Sequence, residues 1–276
     1  MKRLFYYQNL YSRDDSIKKT KALLFTEGLT KIKFSLFIGF SALILVILSG
    51  CLYPNERRAE NQIPYPDQIQ AVQQAVEQFQ QDTGVLPILT REMGTPIYQK
   101  YPVDFNQLIP RYLQQAPGNS FENGGIFQCV LVNVEEKPEV KLLNLTTMSE
   151  IREFQMRVRE YEKKNQLAPI DEMVDTGLFT LQFEKLGYKE QPKVKSPYYD
   201  TSLPLLIDNN GQVYIDYRID LNIALNEFEH SFQPGDDVRE ILVENSPIVP
   251  AFSIPYTIDE NGEPIYFMDA VYGRNK

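Results

Sequence analysis

The chain has 276 residues, 43% of them hydrophobic and 12% aromatic, which is enough apolar material for one large domain or two small ones and excludes wholesale disorder. The formal net charge of −9 is unevenly spread: residues 1–50 hold eight Lys+Arg and three acids, leaving 20 basic and 34 acidic groups and a net of −14 in 51–276. A body so acidic gains no counterion release from phosphate backbones, which argues against nucleic acid as a partner.

The first informative segment is Phe34 to Gly50, FSLFIGFSALILVILSG, an uncharged run preceded by Lys31 and Lys33 and ended by Leu48-Ser49-Gly50-Cys51. Basic residues, an apolar stretch and small residues at a cleavage point make a signal peptide. LSGC resembles the lipobox of bacterial lipoproteins, which implies cleavage before Cys51 and lipid on its thiol. The competing reading is an uncleaved single-span anchor, and both put the remaining chain outside the cell. Because Met1 to Lys33 is long for an n-region, translation is expected to begin near Leu29. Anionic head groups repel the body, so the anchor has to hold it at the membrane.

Residues 51–66 read as the lipidated Cys and a Pro-rich tether. A first helix-plus-hairpin unit is expected over 67–148, a second over 149–218, and a partial third over 219–276. The first helix begins near Asp67 and carries Ile69, Val72, Val76 and Phe79 on one face; a shift of 82 residues gives Ile151, Phe154, Val158 and Tyr161. Phe105 and Leu108 recur as Phe183 and Leu186, and Pro117 as Pro197. The first hairpin is placed at Ile126–Val134 with Val140–Leu145, the second at Leu203–Ile207 with Gln212–Tyr217 around an Asn-Gly turn. Ser196-Pro197 and Asp208-x-Asn210-Gly211 return as Ser246-Pro247 and Asp259-x-Asn261-Gly262. Helices are expected at Leu221–Phe228 and from Asp236-Asp237. The class that follows is α+β, with amphipathic helices packed on antiparallel β-hairpins.

Chemistry is sparse. The single His230 lies in EFEHSF, beside Glu227 and Glu229, and reads as a helix-end surface group. Cys129, in IFQCVLV, reads as a small buried hydrophobe once Cys51 is lipidated. The Asp-x-Asn-Gly turns echo the front of a calcium loop without its later acids, so no metal and no cofactor are expected. The carboxylate pairs Asp208 with Asp216 and Asp236 with Asp237 could serve a hydrolase, but read more simply as turns and caps. Among 17 Tyr, clustered at Tyr98/Tyr101 and at Tyr198-Tyr199, the last pair is the candidate binding surface, against the simpler role of cross-strand packing. No residue is assigned as catalytic.

LSGC-LYP, ENQIPYPDQIQAVQQAV, YQKYPVDF and PAFSIPYTIDENGEP together resemble the YphF-type lipoproteins of spore-forming Gram-positive bacteria, over 40–268. The resemblance implies no activity and lends no catalytic residues. Some members carry a label as substrate-binding components of ABC transporters, but those are doubly wound α/β proteins and this pattern is rich in hairpins. The expected function is a non-enzymatic interaction or scaffold protein of the envelope, anchored through Cys51 to the extracytoplasmic face of the cell membrane. A solute- or wall-fragment-binding lipoprotein is the alternative, and an envelope hydrolase a distant third. The partner is an envelope protein or a small ligand.

Overall fold

The computed structural model describes residues 66–268. The apolar run, Leu48, Ser49, Gly50, Cys51 and the tether to Tyr65 lie outside the described residues, within which no helix is long and apolar enough to cross a membrane.

Helix α1, Pro66–Thr83, opens on a proline, whose missing N–H costs nothing in a first turn, and carries Asp67 where the helix dipole favours an acid. Its buried stripe is Val72, Ala75, Val76 and Phe79. Gly84 ends it at φ +77, donating its N–H to the Gln80 carbonyl. Two short helices follow, α2 (Ile97–Lys100) and α3 (Phe105–Leu108), the second capped by Asp104, whose carboxylate accepts the Asn106 N–H at 3.1 Å. Strands β1 (Phe127–Val132) and β2 (Glu139–Asn144) form an antiparallel hairpin. The sheet continues outward from β1, because the Val103 N–H reaches the Cys129 carbonyl at 2.9 Å and Ile88 in turn bridges Val103. The stripe of α1 packs on this sheet against Val103, Phe105, Leu108, Cys129, Leu131 and Leu142.

The second unit begins at Asn144, whose side-chain oxygen accepts the Thr146 N–H at 2.9 Å and so starts α4, Leu145–Asn165. Strands β3 (Ile170–Asp175) and β4 (Leu178–Leu181), a 3₁₀ turn at Phe183–Leu186, then β5 (Lys193–Lys195), β6 (Ser202–Asp208) and β7 (Val213–Ile215) complete it. Strand β6 pairs antiparallel with β4, β5 and β7. Ile151, Phe154 and Val158 of α4 pack in one core with Leu178, Leu186, Leu203, Ile207 and Ile215.

The two units repeat specific hydrogen bonds. Ile88 bridges Val103, and Ile170 pairs with Leu181. The Asp104 N–H donates to the Pro87 carbonyl, and the Gln182 N–H to the Pro169 carbonyl, both at 2.8 Å. A helical turn follows each, at Phe105–Leu108 and Phe183–Leu186. On the helices, Gln73 donates to the Pro138 carbonyl at 2.9 Å and accepts the Val140 N–H at 2.7 Å; Gln155, 82 residues on, donates to the Gly211 carbonyl at 2.5 Å and accepts the Val213 N–H at 2.8 Å. One amide thus clamps helix to hairpin turn in each copy.

The remainder comprises α5 (Arg218–Glu227), α6 (Glu240–Glu244) and the hairpin β8 (Tyr256–Ile258) with β9 (Pro264–Tyr266). Its turn copies that of the second unit: Asp208 accepts the N–H groups of Asn210 and Gln212 at 2.8 and 2.9 Å, and Asp259 those of Asn261 and Glu263 at the same distances. The stretch before it joins both sheets. The Leu142 N–H donates to the Pro247 carbonyl at 2.7 Å, and the Ile215 N–H to the Phe252 carbonyl at 2.9 Å.

The architecture is α+β, with the hairpins where the sequence puts them. Several details differ, among them the helix expected at Leu221–Phe228, which spans Arg218–Glu227. The second helix starts at Leu145 rather than 149, because Asn144 ends the strand and caps the helix at once. The helix expected from Asp236-Asp237 begins at Glu240, after a turn in which the Asp237 carboxylate accepts both the Arg239 backbone N–H and its guanidinium. Strands β3, β4 and β5 were not foreseen; IDEMVD of β3 is largely exposed, so the apolar alternation that marks a half-buried strand is missing there, and β4 and β5 are only four and three residues long.

Candidate functional site

A groove of about 620 Å³ lies where α1, the β1–β2 turn and the chain after α6 meet. Gln73 forms its back, its amide fixed by the hairpin and its Nε2 also donating to Glu77 at 2.8 Å. Glu77, one helical turn on, is exposed, as is Glu244 on the opposite wall. Lys141 sits in the floor with only 12% of its side chain exposed. Its ammonium donates to the carbonyls of Val243 at 2.6 Å and Ser246 at 3.3 Å, and lies 3.8 Å from Glu139. Burial pulls the Lys141 pKa down, opposed by Glu139 and Glu244. This lysine is committed to holding the end of α6 against β2, so the charge the groove presents comes from Glu77, Glu139 and Glu244, with Lys137 exposed at the rim.

A second hollow, about 520 Å³, adjoins it through Glu244, which borders both. Glu229, Asp236, Asp237 and Glu240 line it with His230, which is exposed and stacked on Phe232 at 5.4 Å. Burial raises the Glu240 pKa, helped by Glu244, Asp237, Glu136 and Asp236. Among the described residues no group of three or more His, Cys, Asp or Glu is arranged to hold a metal ion.

The aromatic candidates are drawn into the fold. Tyr198 packs against both main cores, meets Tyr217 edge-on at 6.1 Å and donates its hydroxyl to the Ile248 carbonyl at 3.1 Å. Tyr199 is half-buried, with its hydroxyl donated to Glu227 at 3.1 Å. The ring of Tyr98 lies 5.2 Å from the Arg239 guanidinium. The two residues of the Tyr198-Tyr199 pair therefore do not share one open face, and Tyr198 fastens the two cores together.

The carboxylates weighed for catalysis also have local work. Asp208 holds its turn and takes the Tyr214 hydroxyl at 3.2 Å. Asp216, 3% exposed, accepts from Arg218 at 2.7 Å, from Tyr266 at 2.9 Å and from Tyr256 at 3.3 Å, with the Arg218 guanidinium 4.1 Å over the Tyr266 ring. Asp220, fully buried, accepts Ser196 at 2.6 Å and Thr201 at 2.7 Å; burial raises its pKa and the two hydroxyls pull it back. Cys129 is buried, which pushes its thiol pKa up to about 12.

Groove residues Gln73, Glu77, Glu139, Lys141 and Glu244 were not singled out from the sequence. The one available signal was that Gln73 and Gln155 hold the same place in the two helices while Glu77 faces Arg159 across the same shift.

Residues 65–144, the stretch that builds α1, the first sheet and one wall of the groove, match the YphF family N-terminal domain. Over that stretch the chain is similar to the YphF family. The YphF match ends at the last residue of β2, the point where the first unit gives way to the second. No curated protein and no solved structure matches the chain.

Proposed function

We propose that this YphF-type protein is a membrane-anchored extracytoplasmic lipoprotein, lipidated on Cys51, whose body is a non-enzymatic interaction or scaffold module of the cell envelope. The anchor rests on the LSGC sequence after an uncharged run. The interaction reading rests on one observation above the others: two units of the same design are joined by one C-terminal stretch, and the first leaves an open, carboxylate-bearing groove beside its helix. A paired body with one differentiated face suits the positioning of a partner.

Metabolic labelling with an alkyne palmitate tests the anchor. Wild-type chain takes the label and stays with membranes; Cys51→Ala loses both, and a variant that keeps the label removes the proposal. A photo-cross-linking residue at Gln70, on the groove wall, tests the interaction: a discrete adduct with one envelope protein supports it, and no adduct counts against it.

One observation favours the solute-binding alternative: about 620 Å³ lies within the range that small ligands occupy. The melting midpoint of the full chain in detergent, measured with the small-molecule filtrate of an envelope extract, separates the two. A rise by mass action favours a solute, and a rise only with the macromolecular fraction favours a protein partner.

A further inference from the structure

We infer that the groove of the first unit takes an arginine side chain from a basic segment of a partner polypeptide, set against the hairpin turn as Arg159 is in the second unit. This rests on the interaction reading above and supplies the partner's chemistry.

The argument comes from the molecule's own duplicate. In the second unit Arg159 leaves α4 one turn after Gln155, crosses to the hairpin turn, and donates to the Asn210 carbonyl at 3.0 Å; the Glu162 carboxylate pairs with it at 3.2 Å. The turn is shaped for this approach: Gly211 has φ +71, and a Cβ there would collide with the Glu162 carboxylate. In the first unit the Gln73 clamp fixes the turn in the same way, at Pro138 and Val140, so the carbonyl matching Asn210 is that of Lys137, which borders the groove. The position matching Arg159 is Glu77. Charge is reversed at the one place where the second unit supplies its own cation, and Glu139 and Glu244 stand nearby. A guanidinium entering there meets the turn carbonyl and the Glu77 carboxylate, the same two kinds of group that Arg159 meets, although the position matching Glu162 is Gln80; its planar fork suits both. The acidic hollow beyond Glu244 extends the same sign of charge and draws a basic segment toward the groove.

The test uses the full-length chain in detergent and the peptide acetyl-Gly-Ser-Arg-Ser-Gly-amide, against its twin with citrulline, which keeps the shape and loses the charge. The expected result is saturable calorimetric binding of the arginine peptide and affinity for the citrulline twin lower by about tenfold or more, as fits the loss of a charge-assisted pair. Glu77→Gln weakens the arginine peptide similarly. Glu77→Arg, which places a cation where the second unit has Arg159, blocks the peptide while the thermal midpoint stays close to that of the wild type, separating occupancy from misfolding. Asp236→Asn, in the neighbouring hollow, leaves affinity within about twofold.

Equal affinity for the two peptides, binding that survives Glu77→Arg, a loss in Asp236→Asn as large as in Glu77→Gln, or no saturation at about 10 mM peptide each overturns the inference. If it is overturned while Gln70 still cross-links to one envelope protein, the interaction reading stands with a partner of different chemistry. If both fail, that reading goes with it.

Discussion

The first and second units share a backbone design and part company in one small region. Both lay a helix on an antiparallel sheet, both clamp helix to turn through one glutamine, and both have their last strand met by the C-terminal stretch. Yet where Arg159 crosses to its own turn, Glu77 leaves a groove open. The comparison separates what the design needs from what one copy has been freed to do. Apolar stripe and clamp are kept because the packing fails without them; the length of the turn differs, and the charge on the exposed helix face is free to change because it costs the fold little.

The largest effect should come from the matched leucines of the two helical turns. Leu108 is fully buried and Leu186 is 8% exposed. Leu108→Ala should cost about 4 kcal/mol and Leu186→Ala about 2–3 kcal/mol in urea unfolding, because the less enclosed site relaxes more easily. A reversed order would break the equivalence of the two turns.

Next come the clamps. Gln73→Ala and Gln155→Ala each remove two hydrogen bonds to part-buried backbone and should cost about 2 kcal/mol apiece. Equal losses sharpen the claim of a shared design; a large loss from one and none from the other contradicts it. Tyr198→Phe should cost less, about 1 kcal/mol, since the ring remains between the cores and only the bond to Ile248 goes.

The smallest effect at neutral pH concerns Cys129 in the first core. Its thiol is raised from the ordinary 9.0 to about 12 by burial. A raised folded pKa means that the folded state holds its proton more tightly, so this contribution to stability is complete below about pH 9 and is lost as pH rises toward about 12. Folded protein should therefore resist a thiol reagent at pH 8 and react only after urea unfolding. Rapid labelling of the folded chain would show that the core around β1 is open.

Much of this was legible in the sequence. The stripes of α1 and α4 follow the 3.6-residue period, and the Asp-x-Asn-Gly turns announce two hairpins. Strand β3 was hidden because IDEMVD faces solvent along much of its length, leaving no apolar alternation to read, and β4 because four residues are too few to show a period. The groove was harder still. Its walls come from α1, the β1–β2 turn and the chain after α6, more than 100 residues apart in places, and none of those residues is unusual by itself. Tyr198 invited a surface reading because tyrosine is common at interfaces, but its neighbours in space are two cores that no local pattern brings together.

The most direct test of the central claim, that the first unit faces a partner and the second meets its turn with its own Arg159, is photo-cross-linking in living cells from two matched exposed positions. Gln70 lies on the groove wall, and Arg152 is its counterpart 82 residues later. The account predicts one discrete adduct from position 70, lost in Glu77→Arg, and none from position 152. Equal adducts from both positions, or an adduct from 152 alone, would contradict it.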